Sequence, residues 1–558
     1  MNTVFLTARS FTANGFDPPD TESLYTIISE AARRDPERDS LCGADGTQLT
    51  SAELDTRVRA LASALLEREV AAGDRLAVLG RTGLEWALLN CAALAVGAVV
   101  VPVYPTSSPA QIEHILRDSG SAYFAAETAA DADRLVAAGA GEVWTFDEVA
   151  VWAKGAASPE LDARIERVRA DDLAMIVYTS GTTGLSKGCM ITHRNMMVTA
   201  ANTVRQTGGI FDGTTVLALP LSHVFGQTIL FACLYGGSRT HLLPSVPDLV
   251  PALARLRPTF LALIPYALEK IRKHCRALLT DDDERAAVER GVRLLTAGGA
   301  PESVRHPVAD AFGGRLRYVI SGGASLDEST AGFYAGFGVV ILNCYGLTEA
   351  ATAVTVSAPE TNRLGTVGRP IPGTGVGIAA DGEVLVSGPH VSPGYWGAAA
   401  DQRPVDAEGW LHTGDIGELD DGFLRITGRK KEILVTSGGK NVAPTPLEDR
   451  VRLHPLVSNC MVVGEGRPFI TALVTLDAQR AEQWRADRPG QDPATAVQDA
   501  VDEANSLVSR AESIRAFRIV SGDFTVDNGL LTSSQKLRRE AISAAFAADI
   551  DQLYMSRG

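Results

Sequence analysis

The sequence predicts an α/β protein in two parts: a large, multi-subdomain N-terminal domain of helix-covered β-sheets and a smaller α+β C-terminal domain. Three observations carry this. At 558 residues the chain exceeds what one hydrophobic core organises. From Arg75 onward, short Val/Ile/Leu/Ala runs alternate with segments of helical period, the pattern of βαβ units. Around Gly382 the texture shifts to short strands and turns, and beyond Arg429 a second βαβ-like run begins. We draw the boundary at Gly428–Lys431, giving domains 1–428 and 429–558.

Taken in order, the N-terminal MNTVFLTARSFTANG lacks a basic start followed by a long apolar run, so no secretory signal is expected. RLAVLG, GLEWALLNCAALAVG and AVVVPVYP then read as strand, buried helix and strand. Trp86 to Tyr104 imitates a membrane span, but Asn90, Gly97 and Pro102 interrupt it and its composition turns from Ala/Leu to Val at Val99. No transmembrane segment is expected. Further strands are expected at 173–179, 215–220, 259–264, 292–298 and 317–323, several ending in Gly, Ser or Thr, where α/β folds carry ligand loops. GEVLVSG and GWLHTGDIGELDDGFLRITG supply the short strands after Gly382. NCMVVGE and FITALVTLD supply those of the tail.

Net charge near −15 argues against nucleic acid or an anionic membrane as a main partner, so any anionic ligand must be gripped by local groups. Seven cysteines without a CxxC pair fit a reducing cytoplasm and no structural zinc.

Such a local grip is on offer in VYTSGTTGLSKG, Val177 to Gly188. It cannot build a core, and three motifs compete for it. The Walker A loop fails, because Ser186 stands where its last glycine belongs and Gly188 where Ser/Thr should hold a metal. Gly184-Leu185-Ser186-Lys187-Gly188 matches GxSxG in letters. However, a nucleophile elbow turns straight off its strand, whereas Ser186 lies deep in a glycine-rich loop. The third reading is an anion-binding concavity of backbone N–H groups, reinforced by the hydroxyls of Thr179, Ser180, Thr182 and Thr183 and by one point charge on Lys187.

Here the sequence resembles the AMP-forming acyl-adenylating (ANL) superfamily, whose signature is similar to [YF]TSGTTGxPKG, with Ser186 replacing the usual proline. LPLSHVFG (219–226), SGGASL (321–326), NCYGLTEA (343–350), GTVGRP (365–370), GWLHTGDIG (409–417), ITGRKKEIL (426–434) and GLLTSSQKLRRE (529–540) follow in the family's order. VTSGGKNVAPTPLED (435–449) and LTSSQKLRR look most like bacterial long-chain fatty acyl-CoA synthetases. The chain is shorter than many of these between Ile264 and Arg317.

The resemblance implies ATP-dependent activation of a carboxylic acid to acyl-AMP, with pyrophosphate released, and then transfer to CoA. It implies that Thr179, Ser180, Gly181, Thr182, Thr183 and Gly184 hold the β/γ phosphates with Lys187 beside them, and that Glu349 holds Mg²⁺. By the same resemblance Asp415 accepts the ribose hydroxyls and Arg429 meets ribose or phosphate. Gly323, Ala324 and Ser325 pass along the adenine, with Asn343, Tyr345, Gly346, Thr348 and Ile426 completing the nucleotide site. Lys536 bridges the carboxylate and the α-phosphate, where its charge acts on the transition state. Lys431 is the hinge of a mobile C-terminal domain, and Ser437, Gly438 and Gly439 line a CoA channel.

For the acid, the acyl pocket is expected around Phe225, Gly226, Gln227, Gly322 and Gly323, with His223 near the reacting carboxylate. No acid follows Phe225 to pair an α-ammonium, and a buried unpaired ammonium is costly. A medium-to-long fatty acid is expected. Many long-chain members carry Glu-Arg where this chain has Gly226-Gln227. The expected small molecules are thus the acid, ATP, Mg²⁺ and CoA. Rival readings are a ligase that loads an acyl carrier protein, an adenylate-binding relative without turnover, and the GxSxG hydrolase.

Overall fold

A computed structural model describes residues 6–179, 186–299, 306–402, 404–532 and 535–555. By contacts it separates into two units. The first runs to Gly323 and adds Glu328–Thr413 and Glu418–Arg425; the second comprises Ala324–Asp327, Gly414–Gly417 and everything from Ile426.

In the first unit a six-stranded sheet has the order Val143–Thr145, Tyr123–Ala126, Arg75–Leu79, Val99–Val103, Leu173–Thr179, Lys187–Thr192. All neighbours are parallel except the last pair, which is antiparallel. Strands buried on both faces read as unbroken apolar runs, as VVVPV does. The stretch resembling a membrane span is a helix, Leu84–Ala95, buried at every position but Glu85, running into that strand. Among the described residues no helix is long and apolar enough to cross a membrane.

A second sheet runs Phe260–Leu263, Tyr318–Ser321, Val340–Leu347, Thr352–Val356, Arg369–Pro370. Its first three strands are parallel, and the carboxyl ends of the first two bring Leu263 and Ser321 level with Asn343, midway along the third. This fan, with its glycine-rich continuation at Gly322 and Gly323, is where an α/β sheet presents ligand groups.

The strand expected at 292–298 is instead the end of a helix, Asp281–Thr296. Its apolar run is too short to separate helix from strand by period. The helix signal lies upstream: Thr280 caps the helix in a capping box with Asp283, and Asp281, Asp282, Asp283 and Glu284 fill its first turn. The helix packs tightly on Glu328–Gly336. A Cβ on Gly291 would stand 1.9 Å from the Gly332 carbonyl oxygen, and one on Gly336 would stand 2.3 Å from that of Ala287.

The second unit is built on Val457–Val463, antiparallel to Ile470–Leu476, which is parallel to Ile514–Ile519 through helices Ala478–Asp487 and Pro493–Asn505. Side chains alternate between two cores. Cys460, Val462, Ala472 and Val474 meet Val497 and Val501; Met461, Val463 and Leu473 meet Leu531, Ile542 and Leu553.

Candidate active site

In the first unit, Thr179 and Lys187 face each other as register partners across the ends of their strands. Positions 180–184, to which the phosphate reading assigns most of its donors, lie outside the described residues. The returning strand is held from two sides. From one side, His114 Nε2 lies 2.7 Å from the backbone carbonyl of Ser186, and the ring packs edge-on against Tyr178, whose hydroxyl donates to Asp118 at 2.7 Å. His114 therefore meets the backbone of Ser186, and Asp118 orients a tyrosine instead of that imidazole. This is no nucleophile, base and orienter in sequence.

From the other side comes His390–Trp396, held by main-chain bonds. Trp396 N–H donates to the Gly188 carbonyl at 2.7 Å, Met190 N–H to Gly394 at 3.0 Å, and Ser392 N–H to the Glu349 carbonyl at 2.8 Å. The segment places Tyr395, whose hydroxyl donates to Glu349 Oε1 at 2.7 Å. The ammonium of Lys187 stands 5.4 Å from the centre of the same ring and donates to Gln402 Oε1 at 2.5 Å. Burial, then the Glu349 charge, push the Tyr395 phenol well above its usual pKa, so it remains a donor. One tyrosine thus joins the loop lysine to the expected metal carboxylate. It lies 46 residues beyond Glu349 in sequence. The only signal for it was an aromatic pair in a Pro-Gly loop.

Glu349 sits in a single turn, Thr348–Ala350, after a strand with a bulge between Tyr345 and Gly346. Gly346 is required there, because a Cβ would come 1.3 Å from the Thr352 carbonyl oxygen. Beyond the turn Ala351 and Thr352 adopt φ of 47° and 100°. The second is costly for a β-branched residue. The buried hydroxyl of Thr228 holds this turn, 2.9 Å from Thr352 Oγ1 and 3.3 Å from the Ala351 carbonyl.

At the fan, the Asn343 amide donates to the Thr366 carbonyl at 3.2 Å, while its buried Oδ1 has no partner among the described residues; nor has the Ser321 hydroxyl. Tyr345 lies two residues further along the same strand, half-buried. Beside Gly322 the space is filled: a Cβ would stand 2.4 Å from Cys344 Sγ. Gly323 has φ of 87° and open space, with Ile264 at 3.9 Å.

His223 caps helix Val224–Gly236, its Nδ1 accepting from Phe225 N–H at 3.0 Å and its ring edge-on to Tyr104. Phe225 is buried, and Gly226 lies so close to Pro220 that a Cβ would stand 2.2 Å from its carbonyl oxygen. Gln227 is fully buried. It accepts from Asn90 at 3.0 Å and donates to the Leu221 carbonyl at 2.7 Å, so it shapes the loop leading to His223.

The second unit holds the remaining residues. Asp415 is almost completely buried and pairs with Arg429 at 3.0 Å, beside Gly414, whose carbonyl accepts from Lys430 N–H at 2.8 Å. Ser325, next to Ala324, hydrogen-bonds Asp449. Ile426 is half-buried; Lys431, Ser437, Gly438, Gly439 and Lys536 are exposed. Gly439, at φ of 76°, closes the Thr436–Lys440 turn. Lys536 lies on a hairpin, its N–H donating to Thr532 Oγ1 at 3.0 Å.

Residues 28–396 match the family model described as AMP-binding enzyme, and residues 431–558 match that of the AMP-binding enzyme C-terminal domain. The chain is 37% identical to proteins named long-chain-fatty-acid–CoA ligase FadD15 from Mycobacterium tuberculosis and Mycobacterium bovis, over 97% of this chain and 98% of each relative. In fold it is similar to anthranilate CoA ligase AuaEII in complex with anthranoyl-AMP (TM-score 0.76, 20% identity, 96% of this chain and 99% of that one). It is also similar to the o-succinylbenzoate coenzyme A synthetase MenE of Bacillus subtilis with ATP and magnesium (TM-score 0.70, 23% identity, 92% and 98%). With both family models in sequence order over most of its length, the chain belongs to the AMP-binding enzymes.

Proposed function

We propose that the protein is an AMP-forming fatty acyl-CoA ligase: it joins a medium-to-long-chain fatty acid to the α-phosphate of ATP, releases pyrophosphate, and passes the acyl group to CoA. The observation that carries this reading is the end-to-end likeness to relatives named long-chain-fatty-acid–CoA ligases. The geometry supports it. Lys187 at the mouth of the loop offers a cation to phosphate oxygens, and the unpartnered Oδ1 of Asn343 suits an amino group such as that of adenine.

Among the described residues no three His, Cys, Asp or Glu come together as a metal cage. Glu349, with Oε1 taken by Tyr395, fits Mg²⁺, which commonly binds through one or two carboxylates plus substrate phosphates and water. When bound, the ion offsets phosphate charge. Asp415, oriented by Arg429, is assigned to the ribose hydroxyls.

We assign residues 1–428 to the nucleotide and acyl sites and 429–558 to a mobile domain turning about Lys431. It presents Lys536 for adenylation and Ser437–Gly439 for pantetheine. Seven buried free cysteines suit a reducing compartment, so the activity is assigned to the cytoplasm.

The test is CoA-dependent AMP release over straight-chain acids from acetate to palmitate, with benzoate beside them. Each methylene buried should raise the specificity constant about fourfold until the pocket ends. A flat profile, or a preference for benzoate, overturns the fatty-acid reading. Robust pyrophosphate exchange without a CoA thioester transfers the acceptor to a carrier protein.

A further inference from the structure

Arg538 and Arg539 follow Lys536 closely enough to pass for surface charge, yet the second is largely buried. Its side chain is 22% exposed, and its two terminal nitrogens donate to Glu448 Oε1 and Oε2 at 2.7 and 2.6 Å, a parallel two-bond fork. Glu448 is 4% exposed, stands on helix Pro444–Arg452, and also accepts from Val462 N–H at 2.7 Å, tying that fork to the edge strand Val457–Val463, whose Val462 lies in one of the two cores. The Nε of Arg539 lies 3.5 Å from Glu432, the residue after Lys431. Burial pulls the guanidinium pKa down, and the two carboxylates more than restore it, so the charge is kept.

On its other side Arg539 begins helix Arg539–Ala545 directly after the Lys536 hairpin. That hairpin is closed by Thr532 N–H to the Lys536 carbonyl at 2.8 Å, by Arg538 N–H to the Leu530 carbonyl at 2.9 Å, and by Gln535 at φ of 63°. Leu531 and Ile542 seat it in the second core of the unit.

We propose that Arg539 is a positioning residue for Lys536: its guanidinium fastens the lysine hairpin to the core through Glu448 and to the segment after Lys431 through Glu432. Lysine, pivot and core then move as one body. This rests on the reading of Lys536 as the adenylating lysine. A buried ion pair is weak evidence for stability, and its best attested use is to fix register. Three segments, those of Glu432, Glu448 and Arg539, the first and last adjoining Lys431 and Lys536, meet on this one guanidinium. An ammonium could satisfy one oxygen but not the planar pair.

The experiment separates the half-reactions on the full-length chain. Palmitate-dependent ATP–pyrophosphate exchange reads adenylation; palmitoyl-adenylate supplied with CoA reads thioester formation. Lys536→Ala is the control. Arg539→Gln is expected to lower kcat for exchange about 10²-fold, the scale of a displacement near 1 Å, with KM for ATP and palmitate little changed. Thioester formation should stay close to wild type, and Arg539→Lys should restore exchange only in part.

Equal loss in both half-reactions, or full exchange activity in Arg539→Gln, overturns the proposal. Should that variant not fold, Glu432→Gln decides, since it leaves the Glu448 fork intact. A loss confined to exchange supports the tether, and unchanged exchange overturns it. If Lys536→Ala itself spares exchange, the underlying reading of Lys536 fails. If Lys536→Ala is selective and the tether variants are not, only the positioning role fails.

Discussion

Tyr395 is the residue on which two parts of the candidate site meet. Its hydroxyl fixes one oxygen of Glu349 and its ring lies under Lys187. Replacing a partner that orients a metal-binding carboxylate typically costs ten- to a hundredfold in affinity or activity. Tyr395→Phe keeps the ring and removes the donor. It should weaken palmitate-dependent pyrophosphate exchange about 10-fold and raise the Mg²⁺ concentration needed for half activity. An unchanged Mg²⁺ profile would separate Tyr395 from the metal. Ser186 makes the opposite case, because what the structure ties down there is its carbonyl, held by His114. Ser186→Ala should therefore change ligase activity by no more than about twofold, as for a substitution that removes no buried partner or packing. A covalent acyl-serine recovered from wild type and lost in the variant would count against that.

At the scale of elements, helices Asp281–Thr296 and Glu328–Gly336 pack backbone against backbone. At Gly291 and Gly336 the atoms nearest an added Cβ are all backbone, so no flexible side chain can yield there. Gly291→Ala must push a methyl into the Gly332 carbonyl, so it should destabilise the chain by about 1–3 kcal/mol, the usual range for overpacking. Denaturant unfolding would show a lower midpoint at an unchanged slope, and a wild-type midpoint would contradict the close approach. By itself, Gly-to-Ala in a helix interior stabilises by roughly 0.5–1 kcal/mol, so the sign alone decides between propensity and packing.

For the whole molecule, acid stability follows from three histidines held neutral. Burial lowers His193 from 6.5 to about 3 and His390 to about 4; burial, then Arg239 and Arg255, lower His241 to about 4. Above pH 6.5 both folded and unfolded chains hold these rings neutral and no penalty arises. Below it the unfolded chain takes up protons that the folded chain refuses, so stability falls from pH 6.5 toward about 4. Each ring adds a slope of up to about 1.4 kcal/mol per pH unit. Urea unfolding at stepped pH should show this decline, shallower in His390→Leu. A flat profile over that window, or an unaltered slope in the variant, would contradict it.

By itself the sequence determined what is local along the chain. The apolar runs of the parallel strands, the break of the false membrane span into helix and strand, and the chain order of the motifs could all be read from neighbours in sequence. What the tertiary structure alone decided are pairings between distant positions. Tyr395 with Glu349, Gln227 with Asn90, and Arg539 with Glu448 and Glu432 join residues whose types are ordinary wherever they stand. The same holds for space: Gly322 and Gly323 are identical as letters, yet Cys344 fills the room beside one and leaves the other open. The helix at 281–296 stands on the local side of that line: a short apolar run such as VRLL fits either period, but the Thr280 capping box and the acidic first turn mark a helix from neighbours in sequence. Local pattern is set by covalent neighbours and backbone sterics, whereas contact and volume depend on chain brought back from far along the sequence, 46 residues for Tyr395 and Glu349 and 137 for Gln227 and Asn90.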